Sequence, residues 1–119
     1  MYKYYNRNPK QERVPDCVCR AISLATESNY NDVAQLLREN GIDGNCEELC
    51  VDCYSEMLKR IGFEKYDAER KTVGKLAREH RNKRLLIRIH SHLTCSVFGN
   101  VYDIWDCTGK IADVFWIID

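Results

Sequence analysis

No stretch of this sequence stays apolar over the length a bilayer crossing needs, and the opening Met1–Asn8 lacks the apolar core of a secretory signal. A soluble, cytoplasmic protein is expected. Net charge is missing too: eighteen basic and eighteen acidic side chains cancel, so no bulk field draws the chain to nucleic acid or to an anionic membrane. Repeats and low-complexity tracts are absent, and 119 residues suit one domain over 1–119 with one core. Cysteine is what abounds. Seven of them, an odd number without a secretory signal, point to free thiols in a reducing compartment rather than to a disulfide scaffold.

The apolar periodicity changes along the chain. Residues 1–15 read as a polar, tyrosine-rich extended arm. Val18, Ala21, Ile22 and Ala25 then follow helical spacing, with Asp16 as N-cap and Pro15 barring an earlier start. Tyr30, Val33, Ala34 and Leu37 repeat that spacing after Asn29, and Gly41 sits where the helix should stop. A third helix is predicted over 46–61 and a weaker one over 72–81, interrupted by Gly74. From Leu85 onward β-branched and aromatic runs take over, at 85–89, 92–98, 101–106 and 113–118. Helices first and an antiparallel sheet afterwards make an α+β domain.

Two distant segments carry chemistry. Cys17 opens the first helix, where unpaired N–H groups and the macrodipole favour a thiolate. His92 begins a strand whose partner returns with Asp103 and Asp106, and imidazole can take a thiol proton near neutral pH. His80 lies in a basic, solvated stretch, while spacing alone leaves His90 on the same strand face as His92. The orienting carboxylate is a matter of register. A two-residue turn at Gly99-Asn100 pairs Phe98 with Val101 and His92 with Cys107, leaving Asp103 on the face of His92 but too far along. One bulge or a three-residue turn brings Asp106 beside His92, so Asp106 is the favoured orienter and an irregular hairpin is expected.

The set Asp16-Cys17-Val18-x-Arg20-Ala21-Ile22, Tyr30-x-x-Val33, Gly62-Phe63, Ser91-His92-Leu93-Thr94 and Val101–Cys107 resembles the small papain-like cysteine peptidase-like proteins of bacteriophages and bacteria. These are similar to the double-glycine leader peptidases that process bacteriocins. The resemblance covers nearly the whole chain and implies a papain-like fold, its central cysteine-bearing helix packed on a C-terminal antiparallel sheet. It implies a catalytic triad of Cys17, His92 and Asp106, with Gln11, six residues before Cys17, as oxyanion donor. Such a donor supplies about 3 kcal/mol to the transition state. The chain lacks the long insertions that build the substrate cleft of larger members.

Other clusters read as structure. Cys46, Cys50 and Cys53 have the spacing of an iron–sulfur or zinc trio, but they coincide with the apolar stripe of the third helix, so core packing is expected and no metal or cofactor. Cys95 and Cys107 read as packed thiols on facing strands, and the basic residues of 71–88 as a solvated face. Arg20, one turn after Cys17, has two open roles: binding a substrate carboxylate or holding the N-terminal arm. Two function classes follow. One is a thiol hydrolase cleaving a peptide or related amide bond of a peptide or protein substrate. The other is a non-catalytic papain-like module that inhibits or antagonises a host or phage protein.

Overall fold

The structure, a computed structural model, describes residues 1–12, 16–40, 51–90 and 92–118. Helix α1, Cys17–Ala25, forms where the spacing predicts it, and its Val18, Ala21, Ile22 and Ala25 are all buried. Asp16 occupies the N-cap position without a side-chain capping bond, because its carboxylate is engaged elsewhere. Helix α2, Tyr30–Glu39, is capped by Asn29, whose side chain accepts from the N–H groups of Asn31 and Asp32. Helix α3 spans Val51–Ile61 and buries Tyr54, Met57 and Leu58; Cys46 and Cys50, and the start of the helix expected over 46–61, lie outside the described residues.

Helix α4, Val73–Glu79, starts at Thr72, whose hydroxyl accepts from the Lys75 N–H. Gly74 is there for closeness: its N–H donates to the Thr108 carbonyl at 2.9 Å, and a Cβ would stand 3.2 Å from that oxygen.

Six strands form one sheet: β1 Tyr2–Tyr4, β2 Lys65–Asp67, β3 Arg84–Ile89, β4 His92–Val97, β5 Asn100–Asp103 and β6 Val114–Ile117. Their order is β1-β5-β4-β3-β6-β2. The pairs are antiparallel except β1 on β5, where the expected extended arm adds a parallel edge strand. Strand alternation divides the apolar side chains. Leu86, Leu93, Cys95 and Trp116 pack with α1, α2 and α3, whereas Leu85, Ile87, Ile89, Val101 and Phe115 pack with Val73, Leu76 and Ala77 of α4. The chain is thus α+β, with helices over both faces of the sheet.

The β4–β5 hairpin differs from the expected one. Val97 pairs with Asn100 and Ser96 with Val101, so the two turn residues are Phe98 and Gly99, not Gly99 and Asn100. Their φ angles, +50° and +88°, are those of a type I′ turn, whose twist matches the flanking strands without a bulge. The register therefore moves by two residues, which keeps every side chain on the face the sequence assigns to it and changes only how far along it sits.

Candidate active site

The register brings a histidine and a carboxylate together. With Cys95 opposite Tyr102 and Ser96 opposite Val101, Asp103 at the end of β5 is a diagonal neighbour of His92 at the start of β4, a separation long side chains can bridge. His92 Nε2 lies 2.6 Å from Asp103 Oδ2, and the two side chains are only 10% and 3% exposed. The Trp105 ring packs on the imidazole with centroids 5.1 Å apart. Asp103 Oδ1 accepts from the Ile104 N–H at 2.7 Å and from Arg20 Nη1 at 3.2 Å.

Arg20 continues the network: its Nε donates to Asp16 Oδ1 at 2.6 Å, and Asp16 Oδ2 accepts from the Tyr30 hydroxyl and from Asn8 Nδ2. A buried chain of charge thus runs from His92 through Asp103 and Arg20 to Asp16, joining β4 and β5 to the first turn of α1. Burial alone would push the Asp103 carboxyl up, but the His92 hydrogen bond and charge, with the Ile104 N–H, hold it below its ordinary value. Burial likewise disfavours the Arg20 cation, and the bonds and charges of Asp16 and Asp103 more than reverse it.

Three expected roles are corrected by these positions. Asp106 does not orient His92; it sits on an exposed turn, where its Oδ1 accepts from the Thr108 N–H at 3.0 Å and the Thr108 hydroxyl at 2.6 Å. The cause is the regular hairpin, which puts Asp103 in the place that a bulge would have given Asp106. Arg20 is 7% exposed and bound to two carboxylates, so of its two open roles it fills the structural one, reaching the arm through Asp16 and Asn8. Gln11 is no oxyanion donor in this conformation: its Nε2 donates to the carbonyls of Asn6 and Asn8, both at 3.0 Å, and its φ of +56° fits a tight turn of the arm.

The thiols fall into distinct settings. Cys17 opens α1, is 1% exposed, and lines a small cavity with Tyr5, Arg7, Arg20, Leu93 and Asp103. Cys19 donates to the Tyr30 carbonyl, and burial together with Asp16 pushes its thiol up to about 11. Burial pushes Cys95 up to about 12. Cys107, expected only as a packed thiol, lies with its Sγ 3.8 Å from Asp103 Oδ2. The alternation that puts 103 and 107 on the face of His92 was the signal for it. Of the other histidines, His80 packs against Phe115 with ring centroids 5.3 Å apart and His90 is exposed in a turn.

No family model, curated protein or solved structure matches the chain. Among the described residues no helix is long and apolar enough to cross a membrane.

Proposed function

We propose that this protein is a papain-like thiol hydrolase of a peptide or related amide bond, with Cys17 as nucleophile, His92 as general base and Asp103, in place of Asp106, as the orienting carboxylate. The observation that carries this reading is the buried His92–Asp103 pair at 2.6 Å. A carboxylate on Nε2 fixes the tautomer and leaves proton transfer to Nδ1, and it stabilises the imidazolium that forms when the thiol proton arrives. The Cys17 thiolate then adds to the scissile carbonyl. Collapse forms the thioester as His92 returns its proton to the leaving amine, and water, deprotonated by His92, releases the acid. The position of Cys17 at the first turn of α1 favours the thiolate.

Access requires motion. Cys17 is closed off, and Tyr5 and Arg7 of the arm line the cavity it faces, so the arm must swing aside before a peptide reaches the sulfur. The resemblance stated above points to a bacteriophage or bacterial setting and a cytoplasmic peptide or protein substrate. One observation favours the second reading, a non-catalytic module that antagonises a host or phage protein: Gln11 and Arg20 are both committed to internal bonds. A peptide-like electrophile, followed by intact-mass and peptide mass spectrometry, separates the two. One adduct at Cys17, lost in His92→Ala, supports the hydrolase; no adduct on folded protein supports the binder.

A further inference from the structure

We propose that His92, Asp103 and Cys107 form a binding site for one divalent transition-metal ion of the zinc type. One nitrogen, one oxygen and one sulfur donor from these residues all lie within 4.8 Å of one another. His92 Nε2 is 2.6 Å and Cys107 Sγ 3.8 Å from the same oxygen, Asp103 Oδ2. Around a tetrahedral zinc, bonds of about 2.0–2.3 Å set neighbouring donors about 3.3–3.5 Å apart. To meet this geometry the imidazole and carboxylate need to part by less than about 1 Å, the thiol to approach the carboxylate by less than that, and the thiol and imidazole to close to the same spacing from within 4.8 Å. A mixed nitrogen, oxygen and sulfur set suits zinc and its neighbours and disfavours magnesium or calcium, which take oxygen alone.

Charge and support agree with the geometry. Asp16 and Asp103 contribute two negative charges to the buried network and Arg20 one positive charge; the thiolate of Cys107 adds another negative charge, so a divalent cation neutralises the sum. The Asp103 carboxylate is already positioned by Arg20 and the Ile104 N–H, the kind of outer support that orients metal ligands. Coordination needs the thiolate, so the Cys107 proton leaves to solvent as the ion binds. Three protein ligands leave the fourth position to water. An ion held there occupies the imidazole that the proposed hydrolysis needs, making the loaded form inactive. That consequence rests on the hydrolase reading; metal binding itself does not.

The test is titration of the reduced full-length protein with cobalt(II). A thiolate-to-cobalt charge-transfer band with tetrahedral ligand-field absorption should saturate at one equivalent and be displaced by zinc. Cys107→Ser should abolish the charge-transfer band and weaken zinc binding about a hundredfold or more, and Cys17→Ser and Cys95→Ser should keep the band. Cobalt should also quench the emission of Trp105, whose ring packs tilted against His92 with centroids 5.1 Å apart. That quenching, lost in Trp105→Phe, decides the matter if Cys107→Ser fails to fold. The proposal is overturned by the absence of a band and of quenching at stoichiometric cobalt, by a band that survives Cys107→Ser, or by one that is lost instead in Cys50→Ser. Because the readout is spectroscopic, the metal test does not depend on hydrolysis: a metal-free protein that takes no peptide-like electrophile at Cys17 yet still binds cobalt here refutes only the hydrolase.

Discussion

Asp103 divides its two oxygens between His92, 2.6 Å away, and Arg20, 3.2 Å away, so a single carboxylate ties the candidate base to the helix that begins with the candidate nucleophile. Removing one member of such a buried set leaves the others without compensation. Asp103→Ala should cost about 3–5 kcal/mol. Asp106→Ala removes only the exposed bonds to Thr108 and should leave the stability nearly unchanged. Urea unfolding of the two variants side by side checks the contrast, and equal losses would contradict the assignment.

The same carboxylate sets an acid limb. Asp103 titrates below its ordinary 3.8 in the folded protein, so its contribution to stability is complete above that value and is lost as pH falls through the lower, folded one. Urea midpoints measured from about pH 6 to pH 2 should fall steeply at the acid end for the wild type. Asp103→Asn should be less stable at neutral pH and show a shallower acid decline.

The turn that fixes the register is equally exposed to test. Gly99 has φ +88°, and a Cβ on it would meet the Arg81 Cβ at 3.1 Å. Gly99→Ala should therefore cost about 1–3 kcal/mol. Thermal or urea unfolding reads this, and a neutral result would mean that the hairpin is not built on Phe98 and Gly99.

The arm should govern access to the thiol. Asn8 is buried and donates to Asp16 Oδ2 while its own side-chain oxygen accepts from the Lys10 N–H. Asn8→Ala removes bonds worth about 1 kcal/mol each, enough to raise the open population and the Cys17 alkylation rate by about fivefold to thirtyfold. An unchanged rate would show that the arm does not limit access.

Much of the fold was legible in the sequence because it rests on local signals. The Asn29 cap and the Val33 and Leu37 spacing mark α2, and the β-branched runs from Leu85 mark β3 to β6. The edge strands β1 and β2 were not legible: each is three residues of mostly polar or exposed chain, held by its neighbour rather than by its own pattern. The site was half visible. Alternation put Asp103 and Cys107 on the face of His92, but a shift of two in the turn preserves that parity and changes which residue is in reach. Gln11 was misjudged, and Arg20 was left between two roles, for a different reason. Gln11 spends its amide on the Asn6 and Asn8 carbonyls in a turn of the arm, and Arg20, although its i,i+4 neighbour Asp16 is a local signal, is fixed in the network by Asp103 on a strand far along the chain.

The central claim, that His92 serves Cys17, is tested most directly by alkylation with limiting iodoacetamide at about pH 6.5, near the midpoint of an ordinary imidazole, with each thiol mapped by mass spectrometry. Cys17 should be modified first, well ahead of Cys19, whose thiol is pushed up to about 11, and His92→Ala should slow the Cys17 reaction at least about tenfold. Modification of Cys107 or Cys19 ahead of Cys17, or a Cys17 rate indifferent to His92→Ala, would contradict the account.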